Sequence, residues 1–156
     1  MTPEDLMRRA VALSMEKMQA GTGGPFGAVI ARDGEIIAEG WNQVTSTADP
    51  TAHAEVVAIR RACQSLGRFD LTDCEIYTSC EPCPMCLGAI YWARLRRIWF
   101  GNDRADAAAI GFDDDFLYRE IPLPLGERSV PTQRLLGEEA RAAFEAWLRK
   151  SDKVPY

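Results

Sequence analysis

The chain has 156 residues, 47% of them hydrophobic and 26% charged, an ordinary globular mix that is long enough for one domain with one substantial core. Its formal net charge of -5 argues against a nucleic-acid partner, because affinity for phosphates rests on Lys and Arg displacing counterions. No apolar run approaches the ~20 residues that span a bilayer. "MTPEDLMRRA" also lacks a cationic region followed by an apolar stretch, so no membrane partner is expected and a cytoplasmic location is.

In "EDLMRRAVALSMEKMQA", Met7, Val11, Met15 and Met18 recur at helical spacing. They predict an amphipathic first helix that buries this stripe and stops near Gly21. "FGAVIARDGEIIAEGWN" reads as two strands about Asp33-Gly34, a strong hairpin signal. "AHAEVVAIRRACQSLG" predicts a second helix capped by Gly67. "CEIYTSC" is a short buried strand, "PMCLGAIYWARL" a helix opened by Pro84, and "RRIWFGN" a fourth strand. The basic cluster "ARLRRIW" at 93–99 is read as a solvated strand end. A short helix in "GFDDDFLYRE", a Pro-rich connection, a strand over "VPTQRLL" and a helix in "EEARAAFEAWLRK" complete the chain before the tail "SDKVPY". No repeat or linker divides it, so residues 1–156 are expected to form a single domain. A hairpin followed by alternating helices and strands predicts a mixed sheet with helices on both faces, an α/β sandwich.

Cys63, Cys74, Cys80, Cys83 and Cys86 form an odd set, which argues against a disulfide framework in a chain with no export signal. The chain has one histidine, His53, in "PTAHAEVVAI". A lone histidine at a helix start is commonly a packed residue, and "CPMC" alone could be a redox dithiol or half of a structural zinc site. Together, His-x-Glu followed some thirty residues later by Pro-Cys-x-x-Cys is the pattern of zinc-dependent nucleobase deaminases. Catalytic zinc takes three protein ligands and keeps a fourth position for water, and His53, Cys83 and Cys86 supply three. Cys83 and Cys86, three apart, share a helix face in a first turn whose dipole favours thiolates. Cys80 is the candidate fourth ligand of a closed, non-catalytic zinc module, but is expected to be a bystander. Glu55, beside a zinc-activated water, is expected to shuttle protons to a ring nitrogen and a leaving amine.

The stretches "GGPFGAVI", "ADPTAHAEVVAIRRAC", "YTSCEPCPMCLGAIYWAR" and "GFDDDFLYREI" resemble the small bacterial guanine deaminases of the cytidine/deoxycytidylate deaminase superfamily. The similarity runs nearly end to end and includes the terminal tyrosine. It implies a cytidine deaminase-like three-layer α/β/α sandwich, one Zn2+ per chain and hydrolysis of guanine to xanthine and ammonia in purine metabolism. It assigns His53, Cys83 and Cys86 to zinc, and Glu55 and Asp114 to catalysis. It assigns Phe26, Asn42, Ala54 and Tyr156 to the purine. By residue type alone Asn42 is a turn residue, Phe26 a core residue and Asp114 part of a solvated acidic helix start. The resemblance further implies a homodimer whose C-terminal segment crosses over, placing Tyr156 as a lid on the partner's pocket. "LRRIWFGND" is more basic than the family pattern and bears on those dimer contacts. A tRNA adenosine deaminase and a guanosine deaminase share the motif and are the enzyme alternatives.

Overall fold

In a computed structural model describing residues 1–156, the first helix, α1 (Pro3–Gln19), is set by its own cap. Thr2 accepts from the Asp5 N–H, the Asp5 carboxylate accepts from the Thr2 N–H, and Pro3 fills the first helical position. The buried stripe is Leu6, Ala10 and Leu13. This corrects the expected methionine stripe: Val11, Met15 and Met18 are exposed, and only Met7 packs at the core's edge. The helix is rotated by about one residue from the predicted face. Small Ala10 lets its backbone approach β1 at Gly27, where a Cβ would stand 2.3 Å from the Ala10 carbonyl oxygen.

Strands β1 (Gly27–Arg32) and β2 (Glu35–Trp41) form the expected hairpin. Asp33 and Gly34 both take positive φ, 51° and 81°, the mirror-image turn that suits strand twist. A short helix, α2 (Val44–Thr47), then precedes α3 (Ala54–Leu66), which ends at Gly67 in the left-handed region as predicted. Strand β3 (Glu75–Cys80), helix α4 (Pro84–Trp92) and strand β4 (Arg97–Asn102) follow at the expected places.

The sheet runs β2-β1-β3-β4, with antiparallel β1/β2 and β1/β3 pairs and a parallel β3/β4 pair. Side chains alternate across it. Val29, Ala31 and Tyr77 pack with Leu6, Ala10 and Leu13 of α1. Ala28, Ile30 and Ile76 face Ala54, Ala58 and Ala62 of α3 and Ile90 of α4. This is the mixed-sheet, three-layer α/β/α sandwich that the sequence predicts. Gly40 sets the fit of α3 on β2, since a Cβ there would lie 2.2 Å from the Ala54 carbonyl oxygen and 2.6 Å from the Ala58 nitrogen. Strand β1 runs opposite to β2, β3 and β4, so the start of β1 and the ends of β2, β3 and β4 lie at one end of the sheet.

Two further helices close the first compact unit, Met1–Tyr118. Helix α5 (Arg104–Ala109) is capped reciprocally by Asp103 and Asp106, and α6 (Asp114–Glu120) is the helix predicted in "GFDDDFLYRE". The second unit, Arg119–Tyr156, holds a 3-10 turn (Leu125–Glu127) and the final helix α7 (Gly137–Arg149). The strand predicted over 130–136 does not form. Pro131 cannot donate to a ladder, Thr132 bonds the Val130 carbonyl locally, and Leu136 adopts φ 52°. No helix is long and apolar enough to cross a membrane, and all five cysteines are free.

Candidate active site

The strand ends that meet at one end of the sheet deliver six of the predicted residues, Phe26, Asn42, His53, Glu55, Cys83 and Asp114, to one cavity of about 460 Å3, within the range of small-molecule sites. Phe26 comes from the start of β1, Asn42 from the end of β2, and His53 and Glu55 from the start of α3. Cys80, Glu81 and Cys83 come from the turn after β3, and Phe112 and Asp114 from the segment after α5. Every lining residue belongs to the first unit.

His53 is the N-cap of α3, in extended backbone (φ -69°, ψ 155°), and its side chain makes no cap bond. This irregular entrance lets His53 and Glu55, two residues apart, serve one site. Cys83 is likewise an extended N-cap without a cap bond, on α4, and Cys86 follows in the first turn. His53 Nδ1 lies 3.6 Å from Cys83 Sγ and 3.5 Å from Cys86 Sγ. A tetrahedral zinc with bonds of ~2.1 Å to nitrogen and ~2.3 Å to sulfur sets those atoms ~3.6 Å apart. The three donor atoms lie within 4.8 Å of one another, and both thiols are buried. Donor types and spacing fit one zinc per chain.

Local chemistry favours a ligating thiolate. A bond from the Cys86 thiol, then the His53 imidazole, pulls Cys83 down to about 4. The bond to Cys83, then burial near Glu55, push the Cys86 thiol in the opposite direction, above its ordinary value. The Cys83 sulfur in turn raises the His53 imidazole above its ordinary value. Cys80 stands apart from the cluster: burial pushes its thiol up to about 12, and its Sγ points to the Asp103 carbonyl at 3.9 Å. The cluster thus has three protein ligands, as an open zinc site requires.

Three carboxyl groups line the cavity; burial raises two of them and an arginine holds the third low. Glu55 is 6% exposed, and burial pushes it above the ordinary carboxylate range; Thr78 Oγ1 lies 3.4 Å from its Oε1. Asp114 is half-buried and is also raised, chiefly by burial. Glu81 is held low by Arg104, whose guanidinium and backbone N–H occupy both its oxygens.

Asn42 is buried, and its Oδ1 accepts from the N–H groups of Gly24 (3.1 Å) and Val44 (3.2 Å). Those bonds fix the amide orientation and leave its NH2 as the group that can serve a ligand. The Phe26 ring packs edge-on against Phe112, centroids 4.8 Å apart at 89°. Ala54 is fully buried against Gly40 and is not among the lining residues. As the first residue of α3, its amide lies outside the intrahelical ladder. Tyr156 ends the second unit and is mostly exposed.

Sequence reasoning missed Phe112, Glu81 and the Gly23-Gly24 loop. Phe112 was within reach, since it stands two residues before Asp114 in the "GFDDDF" segment. The Gly24–Asn42 bond joins residues eighteen apart and has no local signal.

The zinc-binding-region model of cytidine and deoxycytidylate deaminases matches residues 1–102, and the chain belongs to that family. It is 54% identical over all 156 residues, and over the full length of both chains, to a guanine deaminase of Bacillus subtilis (strain 168). A crystal structure of guanine deaminase from that species matches with a TM-score of 0.97, covering 100% of this chain and 99% of that one. A guanine deaminase structure from Nitrosomonas europaea matches at 33% identity and a TM-score of 0.68, over 90% of this chain and 74% of that one. A tRNA-specific adenosine deaminase of Haemophilus influenzae is 40% identical over 72% of this chain and 68% of its own length.

Proposed function

We propose that the chain hydrolyses guanine to xanthine and ammonia, using one zinc ion held by His53, Cys83 and Cys86. The observation that carries this is one cavity in which a His/Cys/Cys cluster at zinc-ligand spacing meets a buried carboxyl, Glu55, and an oriented amide donor, Asn42. The full-length identity to a guanine deaminase selects guanine among aminated bases.

When bound, zinc supplies Lewis acidity that brings a water's pKa towards ~7. Glu55 takes the proton of the attacking water as the C2–O bond forms, and passes it to ring N3. It then carries the hydroxyl proton to the C2 amine as the C–N bond breaks and ammonia leaves. Asn42 donates to an acceptor on the purine, and Phe26, braced by Phe112, stacks on the base. Asp114 accepts from the N–H groups that guanine presents at N1 and its amine, a pattern cytosine and adenine lack. The Ala54 amide completes the contacts from the start of α3.

The chain acts as one deaminase domain in a cytoplasmic homodimer, with a C-terminal segment exchanged between protomers and Tyr156 covering the partner's pocket. Exposed Tyr91 on α4 and exposed Phe144 and Leu148 on α7 support an interface of this kind. Exchange of a terminal element is a low-cost route to a dimer. Neither a nucleic acid nor a membrane is a partner.

The test is ammonia release from guanine, adenine, cytosine and guanosine by purified protein of known zinc content. Release from guanine alone, at about one zinc per chain, is expected. Zinc without release from any of them would overturn the assignment. Removing the last residues should admit guanosine, because a pocket closed by Tyr156 excludes ribose.

A further inference from the structure

Arg104 links parts of the site that the proposed chemistry does not connect. Its guanidinium grips Glu81 through NH2 (3.0 Å) and Nε (3.3 Å), and its backbone N–H donates to the other Glu81 oxygen (3.0 Å). The Arg104 guanidinium carbon also sits 3.9 Å from the ring centroid of Tyr118 on α6. The Tyr118 hydroxyl donates to the Pro82 carbonyl at 2.7 Å. Glu81 and Pro82 are the two residues before the zinc ligand Cys83, and α6 is the helix that begins with Asp114.

We propose that Arg104 is a positioning residue that clamps α6 to the zinc-ligand turn and so fixes Asp114 over the cavity. Three independent contacts converge on this. An arginine can hold a carboxylate with its fork edge and an aromatic ring with its face at once. Both oxygens of Glu81 are occupied, so Glu81 serves as an anchor and leaves Asp114 as the carboxyl beside Glu55 that can meet substrate. The Tyr118 hydroxyl secures the same helix at a second point. Asp114 has no such anchor of its own: it opens a helix of seven residues, too short to be stable unaided. Without the clamp, α6 keeps its sequence but loses its bearing on the cavity. A displacement of about 1 Å is enough to cost a large part of the rate.

This inference rests on the proposed guanine chemistry, and its test is a double-mutant cycle between Arg104→Ala and Asp114→Ala. The cycle is read as kcat/KM for guanine, and also as guanine dissociation in a Glu55→Gln background, where no turnover is needed. Arg104→Ala alone is expected to lower kcat/KM on the order of tenfold or more, the cost of a small displacement of Asp114, with zinc content unchanged. In the Asp114→Ala background it should have almost no further effect, in turnover or in binding. Tyr118→Phe, which keeps the ring under Arg104 and removes only the Pro82 bond, should show the same dependence on Asp114 in milder form. Arg104→Lys should recover part of the loss, since lysine pairs with Glu81 as a point charge but lacks the fork. Effects that multiply independently of Asp114, or that follow lost zinc or a lowered Tm, overturn the inference and leave the proposed function standing. A parent chain inactive on guanine overturns both.

Discussion

His53 and Cys83 are the N-caps of α3 and α4, neither side chain makes a capping bond, and their Nδ1 and Sγ lie 3.6 Å apart. Ser, Thr, Asp or Asn at these positions would each stabilise their helix by about 1 kcal/mol. Both helices do without that, and their N-cap side chains meet each other instead. A zinc ion bound there therefore ties α3 to α4. Zinc at 100-fold over its dissociation constant adds about 2.7 kcal/mol of stability, or roughly 5–10 °C in a chain of this length. Chelation should lower Tm by that amount and added zinc should restore it, as followed by calorimetry with metal analysis. Cys80→Ser should still carry one zinc, because Cys80 faces the Asp103 carbonyl rather than the cluster; loss of metal in that variant would point to a closed four-ligand site.

Glu55→Gln should keep the fold and the zinc while losing turnover by about 10²–10⁴-fold. Its carboxyl sits among buried groups, with Thr78 Oγ1 at 3.4 Å, and an amide of the same shape can retain that contact. What the amide cannot do is accept and release a proton. Full activity on guanine in this variant would refute the proton-shuttle role.

Much of this site could be read from the sequence because its residues carry rare side chains at fixed spacing. One histidine, two cysteines and a glutamate named their own chemistry, and Pro84 and Gly67 marked the helix ends that place them. Periodicity did worse on α1. A methionine stripe and the Leu6–Ala10–Leu13 stripe are both helical, and the choice between them lies in how closely Ala10 can approach Gly27, a contact across elements. The strand expected over 130–136 failed for a related reason. Hydrophobic residues alone do not supply the ladder donor that Pro131 lacks. The clamp of Arg104 on Glu81 and Tyr118 had no sequence signal, since each of its residues is ordinary on its own.

Asn42 separates binding from folding in a way two substitutions can show. Its Oδ1 anchors the N–H groups of Gly24 and Val44, while its NH2 is left to the ligand. Asn42→Ala removes both functions and leaves two N–H groups without an acceptor, at a cost of about 1–3 kcal/mol each when buried. Asn42→Asp keeps an oxygen for both amides and deletes the donor. The alanine variant should therefore lose stability and activity together. The aspartate variant should stay closer to the parent in Tm yet lose at least about tenfold in kcat/KM for guanine. Equal activity in the aspartate variant would rule out donation by Asn42.

Away from the cavity, the acid limb of stability should depend on one ion pair that joins α1 to the edge strand β2. Arg9 holds Glu39 with both arms of its fork, Nε to Oε1 at 2.6 Å and NH2 to Oε2 at 2.9 Å. That contact pulls the Glu39 carboxyl below its ordinary value, with Lys17 and Arg61 adding to the pull. A carboxylate whose pKa is lower in the folded chain gives its full stabilisation above the unfolded value, about 4.3. The contribution is lost as pH falls through the lower folded value. Both side chains are about one-third exposed, so solvent screening limits the contribution to about 1 kcal/mol or less. Glu39→Gln should therefore be slightly less stable than the parent at pH 7, and the two should converge as pH is lowered through 4 towards 3. Denaturant unfolding of both chains across that range checks it, and a stability difference that stays constant with pH would assign the effect to packing instead of charge.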